Sequence, residues 1–204
     1  MAVLVTDPFV EEHLLEERRR TGADRYDEVW EGTYMMTPLP DDEHQQIVMA
    51  MGAILQDTIG WLGLGHVRPG VNLTDREKDW ALDYRAPDLV VFLAEGGAEN
   101  RGTHWRGPAD FVVEITSPGD RTREKLPFYS RLGVRELLVV DRSTWTLELY
   151  RWQEGELRLA GRSTAEARQV LLSQVVPLQF DLLAASPRPR IEVRHVESGR
   201  KWLI

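Results

Sequence analysis

Two short runs decide most of what this chain can become. Leu89-Val90-Val91-Phe92-Leu93-Ala94 has no polar side chain, and Phe111-Val112-Val113-Glu114-Ile115 breaks its apolar character once. Both fall far short of the roughly 20 apolar residues that cross a membrane as a helix. Continuous rather than alternating hydrophobicity in β-branched and aromatic residues marks strands covered on both faces. The predicted fold class is therefore α/β, a central mixed sheet flanked by helices, with an N-terminal helix and hairpin.

The remaining elements follow from periodicity and punctuation. Phe9, Val10, Leu14 and Leu15 form a narrow apolar stripe that predicts a charged helix over 8–20. β-formers on either side of Glu31-Gly32 predict a hairpin over 26–37. Asp41 or Asp42 can cap a helix running to about Trp61, with Ile47, Val48, Met51, Ile54, Leu55 and Ile59 as its buried face and Gly63 and Gly65 ending it. Short strands are expected at 66–73 and 80–84, and residues 95–108 read as a loop. Ser117-Pro118-Gly119-Asp120 reads as a sharp turn into a helix over 121–132, in which Pro127 forces either a later start or a bend. Gly133 ends that helix. A strand at 135–142, a meander about Gly155 and a closing strand near 175–183 complete the core. The expected division is an acidic helical extension over 1–25, the α/β domain over 26–185, and a basic tail over 186–204 free to form an edge strand or a partner contact.

There are no cysteines, which excludes disulfides, thiol nucleophiles and cysteine-ligated metals and fits a reducing cytosol. With no signal-peptide pattern and no membrane span, a soluble cytoplasmic protein is expected. The formal net charge of −8 argues against a general nucleic-acid binder, but the charge is unevenly spread. Residues 1–50 hold twelve acids and four bases, which accounts for all of it, while residues 121–135 hold five bases and one acid.

Glu114 carries the chemistry. A carboxylate inside a buried strand is costly unless something neutralises it. Asp88 opens the neighbouring run behind Pro87, so two carboxylates can meet. Magnesium or manganese prefers such hard oxygen ligands, activates water and offsets negative charge at phosphorus. Lys125, the only lysine between Lys78 and Lys201, begins the following helix and can stabilise an oxyanion or assist deprotonation.

In this order the residues resemble the PD-(D/E)XK nuclease superfamily, and within it the Uma family of restriction-endonuclease-like proteins, a former domain of unknown function. The resemblance spans about Glu31 to Leu183. It rests on Glu31-Gly32 with Met36-Thr37-Pro38, Glu43-His44, Pro87-Asp88, Glu114-Ile115-Thr116-Ser117-Pro118, Lys125 with Tyr129, and Gly133-Val134-Arg135-Glu136 leading to Asp141. It implies Asp88, Glu114 and the Ile115 carbonyl as metal ligands and Lys125 as the catalytic lysine. Thr116 stands where the parent pattern has lysine, so Lys125 would act from the next helix. Glu31, His44 and Thr116 are expected in supporting positions, and Arg121, Arg123 and Arg131 as phosphate contacts. The activity implied is magnesium- or manganese-dependent hydrolysis of DNA, with a homodimer suited to double-strand cutting.

Each residue taken singly has a plainer explanation. Asp88 can start a strand, Glu114 can pair with an arginine, His44 can serve a helix terminus and Tyr129 can pack in the core. The alternative function is a nuclease-fold protein that binds or regulates without catalysis.

Overall fold

A computed structural model describes residues 8–117 and 119–204, so Pro118 and the first seven residues lie outside the account. Helix α1 (Pro8–Thr21) leads into the hairpin β1 (Glu28–Trp30) and β2 (Thr33–Met35). Glu31 and Gly32 form the two-residue turn at φ 49° and 87°, the primed geometry that matches strand twist. Helix α2 (Asp42–Leu55) runs on through a π-helical turn (Gln56–Gly60). Its N-terminus is capped by Asp41, whose carboxylate accepts from the His44 amide at 2.9 Å. Ile47, Met51, Ile54, Leu55 and Ile59 are buried as the periodicity predicts, each worth on the order of 2 kcal/mol in transferred area.

The next strands are β3 (Gly65–Pro69), β4 (Leu73–Thr74), β5 (Leu89–Leu93), β6 (Glu99–Asn100), β7 (Trp105–Arg106) and β8 (Phe111–Thr116). A 3-10 turn (Thr122–Lys125) feeds α3 (Leu126–Leu132), which places Pro127 in the first turn and so avoids a bend. Gly133 ends it at φ 81°. Strands β9 (Glu136–Asp141), β10 (Thr146–Gln153), β11 (Glu156–Thr164), β12 (Leu171–Leu172), β13 (Leu178–Leu183), β14 (Arg190–His195) and β15 (Lys201–Leu203) follow.

Six strands form the central sheet in the order β11-β10-β9-β8-β5-β3, with only β8 and β9 parallel. Residues of opposite parity serve its two faces. Val91, Phe111, Val113, Ile115, Leu138 and Val140 pack with α2 and the β12-β13-β14-β15 sheet. Val90, Phe92, Val112, Leu137 and Val139 pack with Phe128, Tyr129 and Leu132 of α3. Glu114 has the parity of Val112 and so belongs to the α3 face.

Four local expectations are revised. Residues 80–84 are not a strand: Trp80–Leu82 is a 3-10 turn entered through Asp79 at φ 54°, and Tyr84 makes a single bridge to Val29. The stretch 66–73 is interrupted at Gly70, φ 54°, which separates β3 from β4. The segment 95–108 carries β6 and β7, which join β4 in a small sheet. The strand near 175–183 does not end the fold. The last residues pair onto it, β14 lies inside the second sheet, and Ile191, Val193 and Ile204 enter the main core.

Candidate active site

The antiparallel register of β5 and β8 pairs Leu89 with Val113, so the residues one step beyond are Asp88 and Glu114. This is how two carboxylates reach the same end of the sheet. Asp88 accepts the Ile115 amide at 2.7 Å on Oδ2 and lies 3.1 Å from His44 Nε2 on Oδ1. His44 is delivered by the first turn of α2. Burial works against its charged form, but Asp88 outweighs this and holds its pKa above the ordinary value. Its Nδ1 is buried without a hydrogen-bond partner among the described residues.

Lys125 Nζ lies 3.1 Å from Glu114 Oε1 and 2.9 Å from Glu28 Oε1. Glu114 also accepts a short hydrogen bond from the Tyr129 hydroxyl, one helical turn beyond Lys125. Burial pushes the Glu114 carboxyl up to about 8; Lys125 opposes this, while Asp88 and Glu28 reinforce it. For Lys125, burial lowers the pKa, but Glu114, Glu28 and Asp120 together raise it above the usual lysine value, so the amine is an ammonium. Neither Asp88 nor Glu114 is paired with an arginine among the described residues.

Glu28 is the site residue that sequence reasoning missed. It sits on β1 and is buried, accepting the Ala86 amide at 2.9 Å and the Trp30 indole at 2.6 Å. Its place in strand β1 is a signal: a carboxylate between Asp27 and Val29 just before the Glu31-Gly32 turn has to point somewhere. The pattern alone drew attention to Glu31 instead. Glu31 occupies the turn, is 74% exposed, and faces Arg131 at 3.8 Å, away from the cleft. Thr116 is buried at the end of β8 and does not line the cleft; its carbonyl accepts from Arg142 at 3.4 Å. Tyr129 both packs in the core and holds Glu114.

The expected phosphate contacts are engaged elsewhere. Arg121 pairs with Glu124, Arg123 with Asp141 at 2.9 Å and Glu148 at 3.0 Å, and Arg131 with Asp75 at 2.8 Å and Asp83 at 2.9 Å. None of the three lines the cleft.

Glu28, Asp88 and Glu114 face the single ammonium of Lys125, leaving an uncompensated charge that a divalent cation matches. Burial is the main cause of the raised Glu114 carboxyl, and Asp88 and Glu28 add to it. Among the described residues no three acidic or histidine side chains stand ready to hold a metal by themselves. A hard cation with two carboxylates, a main-chain carbonyl and water still fits this donor set. The cleft above these groups has a volume of about 420 Å³.

Among solved structures the chain is similar to "a putative nuclease belonging to DUF820" from Anabaena variabilis ATCC 29413. The TM-score is 0.53 and the identity 18%, covering 65% of this chain and 75% of that one. At this identity the likeness concerns the fold. No curated protein matches. No helix among the described residues is long and apolar enough to cross a membrane. The model of the family described as "Uma2: Putative restriction endonuclease" matches residues 11–186. Matched over most of its length, the chain belongs to the Uma2 family.

Proposed function

We propose that this protein is a magnesium- or manganese-dependent endonuclease that hydrolyses phosphodiester bonds in DNA. The observation that carries the reading is the Lys125 ammonium, 3.1 Å from a buried carboxylate whose cross-strand neighbour is Asp88. Asp88, Glu114 and the Ile115 carbonyl would hold the cation. When bound, it supplies positive charge that polarises the phosphate and acidifies water.

The protein groups have separable tasks. Lys125, kept charged by Glu28 and Glu114, donates to the oxygen on which negative charge develops. Glu28 and Tyr129 fix the amine and the carboxylate, so little reorganisation remains for the reaction itself. His44 orients Asp88, its Nε2 lying 3.1 Å from Asp88 Oδ1.

The test is cleavage of plasmid and linear DNA in magnesium or manganese by the wild type, Asp88→Ala and Lys125→Ala. Loss of at least about a hundredfold is expected for each, the range for removing a transition-state donor. Unchanged activity in both variants would remove the mechanism. Calorimetry with magnesium should show binding that Glu114→Gln abolishes. No binding at millimolar concentration would favour a nuclease-fold module that recognises without cutting.

A further inference from the structure

The cleft's walls differ from its floor. Its floor is charged and deeply set: the Glu114 side chain is 5% exposed and that of Lys125 11%. Pro38, Leu39, Pro40, Pro69 and Tyr26 give the wall an apolar part. Tyr26 is set against Gly70, where an added Cβ would meet the ring at 3.3 Å. At the mouth stands Arg25, exposed and without a carboxylate partner among the described residues. Among the described residues it is the one cation lining the cleft that is not already paired, since Lys125 is held by two glutamates and His44 by Asp88.

A double helix is a poor occupant. It is stiff over about 150 base pairs, so its backbone cannot be threaded into a deep cleft of a single nucleotide's scale without separating the strands. Of the basic residues of 121–135, Arg121, Arg123 and Arg131 are each paired with acids of this chain. A flexible single strand needs only a local cation and a face on which a base can stack.

Resting on the nuclease reading, we infer that the cleft takes single-stranded DNA, one unstacked nucleotide at a time. Arg25 holds a flanking phosphate, and Tyr26 with the proline wall supports the base. A cleft that accepts one strand needs no second copy to complete it.

The experiment is fluorescence anisotropy with the full chain in calcium, using a short 5′-labelled oligothymidylate and a blunt duplex of the same length. The single strand should bind at least about tenfold tighter than the duplex. Tyr26→Ala should weaken it about tenfold, the loss expected for one stacked base. Arg25→Ala should weaken it and lower the salt slope by about 0.7, the value for one single-strand phosphate. Arg25 is exposed and unpaired, so this variant should give the circular dichroism of the wild type. Equal affinity for the duplex, or an Arg25→Ala protein that binds like the wild type, would overturn the assignment. Asp88-dependent cleavage of duplex alone would overturn it too while leaving the nuclease reading standing. Arg25-dependent binding of the single strand with no hydrolysis in magnesium would support the cleft's occupant and remove the nuclease.

Discussion

Glu28 shows how much one side chain can organise. Its two oxygens receive the Lys125 amine, the Ala86 amide and the Trp30 indole, so it ties the hairpin to both the Asp88 strand and the lysine. Glu28→Ala leaves these donors short of an acceptor and should cost about 3 kcal/mol in urea titration, the low end for breaking a buried pair. Glu28→Gln keeps an acceptor and should cost less than half as much. Asp141 contributes differently. Burial disfavours its charge, but Arg123 and the amides of Thr144 and Ser143 outweigh this and hold its pKa below 3.8. A depressed folded pKa means the contribution is complete above 3.8 and is lost as pH falls through the folded value. Asp141→Asn should therefore lower the urea midpoint at neutral pH and narrow its gap to the wild type near pH 3. Asp88 and Glu114 could be picked out because carboxylates in or beside apolar strands demand a partner, and Lys125 because it is the only lysine between Lys78 and Lys201. Glu28 could not, because its partner lies almost a hundred residues away.

At the scale of elements, β3 approaches β5 most exactingly at Gly65, which pairs with Leu93 at the end of β5 away from Asp88. A Cβ on Gly65 would fall 2.4 Å from the Phe92 carbonyl and 2.9 Å from Leu93 Cα. Both are backbone atoms and cannot rotate aside, so Gly65→Ala should destabilise the protein by about 2 kcal/mol, read by thermal denaturation. The buried strands and α2 were legible because length, β-branching and a repeating apolar face speak locally. The 3-10 turn at Trp80–Leu82 was not, since five residues of mixed polarity satisfy strand and turn patterns alike. Its conformation follows Asp79 and the partners of Asp83: Arg85, two residues on, at 2.9 Å, and the distant Arg131 at 2.9 Å.

For the whole molecule, the last strands carry more than their composition suggests. Strand β14 lies between β13 and β15, and Phe180 of β13, paired with Val193 of β14, stacks on Phe111 of the central sheet at 5.9 Å. A chain ending at residue 185 would expose β13 as an unpaired edge and uncover core residues. It should lose cooperative thermal unfolding and elute as aggregate in size-exclusion chromatography. What the sequence determined unaided was the class of fold, its two covered strands and its long capped helix. These depend on neighbours within a few residues, where hydrophobic period and turn chemistry act. Tertiary structure alone decided that Glu28 completes the lysine's surroundings, that the central arginines are spent on internal acids, that Arg25 stands at the cleft mouth, and that a basic tail becomes core. The contacts of Glu28, Arg123, Arg131 and the tail join segments far apart in the chain, and their energy exists only once the strands have set the register that brings them together.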